Sequence, residues 1–144
     1  MAENRCGTNC NGSATEIKSS LEYHYYGGYN SNLQGNYEGR FDEQAWKDLA
    51  GQLEKIDIDT LKADYTVGFD EWFAEIIIHQ GGKVKRIVGD THLPKSLSPA
   101  ILSILKSNKT VKLKKMDKAY PFETTFQKPA SFGPPKFPPA APKQ

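Results

Sequence analysis

Trp72-Phe73-Ala74-Glu75-Ile76-Ile77-Ile78-His79-Gln80-Gly81-Gly82-Lys83-Val84-Lys85-Arg86-Ile87-Val88 is the stretch on which the fold turns. Trp72 to His79 is rich in β-branched and aromatic residues, Lys83 to Val88 follows it, and the Gly-Gly pair between them takes the positive φ that a two-residue turn demands. A hairpin is predicted. Its facing pairs are His79 with Val84 and Ile77 with Arg86, which brings Glu75 diagonally within reach of Arg86.

Beyond the hairpin, Leu93-Pro94 interrupts the chain, and Ser98-Pro99 offers an N-cap and an N1 proline ahead of Ile101, Ile104 and Leu105. A short helix follows, and Thr110 to Lys115 closes the domain as a strand, Val111 and Leu113 on one face, Lys112 and Lys114 on the other. Before the hairpin, Asp57 to Asp70 is irregular and acidic. It is no calcium loop, because the sixth position is Lys62 where Gly is required and the twelfth is Gly68 where Glu is required. Phe41, Ala45, Trp46, Leu49, Leu53 and Ile56 recur at helical spacing behind Asp42, predicting a helix over 43–56 with Asp42 as its cap. Earlier still, Ile17, Leu21, Tyr23 and Tyr25 share one parity, and Leu33, Gly35, Tyr37, Gly39 and Phe41 alternate after a turn-rich run, so a first hairpin is expected.

The expected order is ββα-ββα-β, two similar units each with a Gly-Gly pair after its first strand, and the fold class is α+β: one antiparallel sheet with two helices on one face. Residues 1–13 are read as an N-terminal arm, 14–116 as the domain and 117–144 as an extended Pro/Phe-rich tail.

With these elements in view, the chain resembles an uncharacterised bacterial domain family often found on lipoproteins. The matching features are the Cys6 and Cys10 pair, Tyr37-Glu38-Gly39, Asp70 ahead of a hydrophobic strand, Gly82-Lys83-Val84-Lys85 and Leu93-Pro94, covering residues 6 to 114. The resemblance implies a fold and no chemistry.

Charge divides the 144 residues unevenly. Residues 1–82 carry 6 Lys and Arg against 14 Asp and Glu, residues 83–144 carry 13 against 3, so halves of −8 and +10 hide behind a net +2. Such a split favours an acidic partner for the second half, or an acidic half laid against a basic one. Lys83, Lys85, Arg86, Lys112 and Lys114 are expected to form a basic face. Nucleic acid is not the expected partner, because Tyr23, Tyr25, Tyr26, Tyr29 and Tyr37, which could stack bases, fall in the acidic half.

Cys6 and Cys10 are separated by three residues with no nearby His, which argues against zinc and permits a small disulfide loop; no metal and no cofactor is expected. Met1 to Arg5 has no secretory apolar core, which places the chain in the cytoplasm as written, or in the periplasm if Met1 is not the native start. The longest aliphatic run is Ile76-Ile77-Ile78, far short of a membrane span.

Catalytic signatures fail in turn. Ser103-Ile104-Leu105-Lys106 fits Ser-x-x-Lys without its partner motifs, and there is neither a Walker loop nor Gly-x-Gly-x-x-Gly. Asp90 beside His92 could orient an imidazole, and a small hydrolytic or ligand-binding domain using them with Tyr25, Tyr26 and Tyr29 is the competing reading. From Tyr120 to Gln144 there are seven of nine prolines, four of seven phenylalanines and no Leu, Ile or Val. Such a segment cannot build a core, yet Phe122, Phe126, Phe132 and Phe137, held extended by Pro134 and Pro135, are suited to grip a pocket. Lys136 to Pro142 also satisfies Lys-x-x-Pro-x-x-Pro. The expected function is a non-enzymatic accessory subunit, attached to a protein assembly through this arm.

Overall fold

Gly81 and Gly82 hold φ of +57° and +76°, the left-handed pair of a tight hairpin turn, and they join β6 (Trp72–Gln80) to β7 (Lys83–Gly89). The register is the expected one, Ile77 opposite Arg86 and His79 opposite Val84. Ile76, Ile78 and Ile87 turn to one face and are buried. These coordinates belong to a computed structural model. It describes residues 1–6, 10–28, 31–68 and 72–124, the side chains of 2–6, 10 and 11 aside.

The remaining described strands are β1 (Ala2–Cys6), β2 (Cys10–Ile17), β3 (Glu22–Gly27), β4 (Gly35–Arg40), β5 (Asp64–Tyr65) and β8 (Lys114–Lys115). Together they make an eight-stranded sheet in the order β5-β7-β6-β1-β2-β3-β4-β8, antiparallel except where β5 joins β7. Residues 2–6 and 10–13 therefore are not an arm. They are strand, and β1 sits at the middle of the sheet between β2 and β6. Ala2 to Arg5 lacks apolar alternation, so nothing local marks it as a strand; the neighbours on both sides recruit its backbone N–H and C=O groups. The observed order departs from two ββα units by this additional hairpin and by β5.

Helix α1 (Glu43–Glu54) starts where Asp42 accepts a hydrogen bond from the Ala45 N–H at 2.9 Å. Helix α2 (Ser98–Ser107) follows a 3-10 turn at Lys95–Leu97, so Ser98 is its first residue and not its cap, while Pro99 occupies the tolerated first turn. Both helices pack on the sheet face that carries Tyr23, Tyr25, Ile76, Ile78 and Ile87. One buried cluster joins Ile76, Ile78 and Ile87 to Leu97 and Ile101, with Leu53 and Ile56 against it. The other joins Tyr23, Tyr25 and Phe41 to Leu49 and Ala100, with Trp46 and Ile104 against it. Within it the Tyr23 hydroxyl meets Ser107 Oγ at 2.7 Å, and because Ser107 donates to the Ile104 carbonyl, Tyr23 is the donor. Burial pushes the Tyr23 phenol up to about 12.

The expected strand over Thr110–Lys115 shrinks to Lys114–Lys115 because Ser107 C=O holds the Thr110 and Val111 amides in a turn. Its alternation is nonetheless as read: Val111 and Leu113 pack inward, Lys112 and Lys114 are exposed. Gly39 makes this passage possible, since a Cβ there would lie 2.7 Å from Val111 Cγ1 and 2.8 Å from the Lys112 carbonyl oxygen. No helix among the described residues is long and apolar enough to cross a membrane.

Candidate functional site: a slot in the sheet

Among the described residues the ladder at the centre of the sheet is uneven. β1 pairs with β2 as far as Ala2 opposite Ala14, and Met1 extends this by exchanging hydrogen bonds with Thr15, 2.7 Å to its carbonyl and 2.6 Å from its amine. β2 runs on to Ile17 and β6 to Gln80, and no described residue of β1 lies opposite them. Strands neighbouring a common strand are about 10 Å apart, so the gap between Thr15–Lys18 and Ile76–His79 is one strand wide.

Backbone direction can be read from the ladder. Lys18 N–H donates to the Glu22 carbonyl on β3, which turns the groups of Ile17, like those of Thr15, toward the gap. Met1 engages Thr15, so Ala2 engages β6 at Glu75, and Ile77, two residues on, faces the gap from the far side. Behind it lies a cavity of about 620 Å³. Trp46, Leu49, Ala100, Ile101 and Ile104 of the helices form its apolar floor. Protein interiors are close-packed, and a void of that size is the size of a ligand site.

On the outer face a strap, residues 117–124, crosses the sheet and ends at the mouth of the cavity. Tyr120 N–H donates to Asn36 Oδ1 at 3.2 Å, and its hydroxyl donates to Glu16 Oε1 at 2.6 Å. Its ring lies on the His24 ring with centroids 3.6 Å apart and planes 8° from parallel. Phe122 packs on Ala14 and Tyr26, and Glu123 Oε2 meets His79 Nε2 at 2.9 Å. Phe122, expected to grip a partner, thus rests on its own sheet, because Ala14 leaves a shallow apolar place there. Phe122, Glu123 and Thr124 line the cavity. Phe126, Phe132, Pro134, Pro135 and Phe137 lie outside the described residues.

Desolvation under Tyr120 lowers the His24 pKa, opposed by Glu16, Glu22 and Glu38 and aided by Lys18, and its Nδ1 is buried without a hydrogen-bond partner among the described residues. A depressed imidazole binds its proton more weakly folded than unfolded. Its neutral form therefore contributes stability that is present above the ordinary histidine pKa of about 6.5 and is lost as pH falls below it. The unfolding midpoint in urea is expected to drop between pH 7.5 and 5.5, and His24→Gln is expected to flatten that part of the profile; an unchanged slope in the variant contradicts the assignment.

The basic face does not assemble. Lys83, Lys85 and Arg86 are on β7 and Lys114 on β8, six strand spacings apart across the sheet, or about 29 Å. Arg86 is engaged with the buried Glu75, Nε to Oε2 2.7 Å, as the diagonal predicted, and Lys83 with Asp59 at 2.6 Å. Lys112 and Lys114 line the open edge beside β4.

Asp90 is fully buried and serves a turn. Its Oδ2 accepts from the Val67 and Gly68 amides at 2.9 and 3.2 Å, its Oδ1 from the His92 amide and from His92 Nδ1 at 2.9 and 2.7 Å. Desolvation opposes ionisation, but these donors outweigh it and hold the carboxyl below the usual carboxylate range. The His92 ring is fixed with its Nδ1 proton toward Asp90, the orientation the pair was expected to adopt. Both acceptor oxygens are already occupied. Among the described residues no three His, Cys, Asp or Glu gather in a way that could hold a metal ion.

The slot escaped the sequence reading because it is made by strands of unequal length, and only a register reveals it. A family model described as a domain of unknown function (DUF6438) matches residues 1–108 of the 144. No curated protein and no solved structure matches the chain.

Proposed function

Since the chain belongs to the DUF6438 family, a family that carries a fold and no assigned chemistry, we propose from its geometry that it is a non-enzymatic interaction domain that holds an extended segment of a partner protein between β2 and β6. One observation carries this reading: an apolar cavity of about 620 Å³ that opens between the described parts of β2 and β6 and is floored by both helices. Added strands gain affinity from main-chain hydrogen bonds and selectivity from alternate side chains entering a pocket. Here the pocket side is the helix floor, so the segment presents apolar or aromatic residues at every second position. The domain thereby acts as an accessory subunit.

The test is selection of displayed heptapeptides on the full chain, followed by amide shift mapping. Ligands with alternating apolar residues that perturb Ile17, Ile77 and Ile104 are expected. Ligands mapping to the Asp90 turn, or a cavity that accepts free hydrocarbons and no peptide, would replace this reading with a small-molecule one.

The cysteine pair belongs to the same proposal. Cys6 lies opposite Cys10 at a position where β1 directs its backbone toward β6, a non-hydrogen-bonded pair with Cα atoms typically about 4.5 Å apart, inside the range a disulfide spans. Oxidation is expected to close it and add about 2 kcal/mol by the loop-entropy relation. The check is a 2 Da mass change on reduction, roughly the two hydrogens gained, with a lower melting temperature; an oxidised chain that melts no higher than the reduced one contradicts it.

A further inference from the structure

Six lysines, Lys106, Lys109, Lys112, Lys114, Lys115 and Lys118, fall in the stretch that leaves α2, forms β8 and runs on from it, with Asp117 as its one acidic residue. All six are exposed. Lys18, Lys47, Lys83 and Arg86 each hold a carboxylate, but none of these six makes an ion pair among the described residues. Glu38, opposite Lys114 on β4, offsets one charge, and Glu22 on β3 is taken by Lys18 at 3.4 Å.

The strand that these lysines flank has an open backbone. Met116 N–H donates to the Asn36 carbonyl at 2.8 Å, so by alternation Lys114 turns to Glu38, while the N–H and C=O groups of Leu113 and Lys115 point away from β4. β8 ends the order of the described strands.

We propose that this edge docks an extended acidic segment of a partner protein as an added strand, independently of the cavity between β2 and β6. The outward groups of Leu113 and Lys115 hydrogen-bond its backbone, and Lys112 and Lys114, about 7 Å apart on one face, meet Asp or Glu at every second position of the incoming segment. Lysines on an edge strand also keep other strands away. That task needs charge on the strand alone, whereas here charge continues to Lys109 and Lys118 on either side, so an uncharged strand is refused and an acidic one is drawn in. Nucleic acid fits this edge less well, because Tyr37, opposite Lys115, packs with Tyr25, and Tyr120 lies on His24, so neither ring is offered to a base.

The probe is a capped octapeptide of alternating Glu and Thr, titrated into the full chain and followed by amide shifts. Binding is expected to perturb Leu113 and Lys115 and to weaken about tenfold between about 0.05 and 0.5 M salt. An analogue N-methylated at alternate residues, equal in charge and unable to pair, is expected to bind at least about tenfold more weakly. Lys112→Glu with Lys114→Glu is expected to remove binding, and Lys85→Glu with Lys95→Glu, the same change of charge away from this edge, to keep it. Both pairs are expected to melt as the wild type does; if the first melts lower, Lys112→Gln with Lys114→Gln takes its place. No binding, binding that survives the first pair, or equal binding of the N-methylated peptide overturns the proposal. Tighter binding of an oligothymidylate of equal charge overturns it in favour of nucleic acid. Self-association of the first pair, with no peptide bound by the wild type, leaves the lysines as an edge guard and overturns it as well.

Discussion

Ala100→Trp is expected to abolish peptide binding, lowering affinity at least a hundredfold, while the domain stays folded. Ala100 is buried on α2 and lines the cavity, so an indole there takes the space an incoming apolar side chain would fill. Large residues forced into packed cores cost about 1–3 kcal/mol, but here the cavity among the described residues, about 620 Å³, gives the ring room, so the melting temperature is expected to hold. Ile104→Trp, from a half-buried position on the same floor, is the companion variant should Ala100 tolerate no bulk. Isothermal titration with a selected peptide checks both, and undiminished binding in two folded variants refutes the slot as the binding place.

The largest stability effect is expected at Ile87. Its side chain is fully buried and joins β7 to Ile76, Ile78, Leu97 and Ile101, so Ile87→Ala removes buried methylenes and leaves a void under both helices. About 3–4 kcal/mol of unfolding free energy is expected to be lost, read from the urea midpoint at pH 7.5. A loss below about 1 kcal/mol would mean that this cluster relaxes around the missing atoms.

Local sequence was eloquent for some elements and silent for others, for physical reasons. The β6–β7 hairpin was legible because Gly81-Gly82 makes a two-residue turn between strand-forming runs, and that turn sets the register to the residue, Glu75 with Arg86 included. Asp42 was legible as a cap because capping is settled within three residues. β1 was not, since its pairing partners supply all the reason for its conformation. Charge in the sequence carries no information on strand order, and strand order puts Lys83, Lys85 and Arg86 at one side of the sheet and Lys114 at the other. The stacking of Tyr120 on His24 joins positions almost a hundred residues apart in the chain (120 and 24) and leaves no local pattern.

The central position of β1 also bears on how the molecule comes into being. Its outer neighbour is β6, with Glu3 set against Ala74, so a nascent chain leaving the ribosome carries its middle strand half-paired until the hairpin near residue 80 has been made. Sheet closure therefore waits until Trp72–Gln80 has been synthesised, a non-local step that slows folding and exposes unpaired edges meanwhile. A chaperone able to mask that early hairpin would act on this protein during its synthesis more than after it.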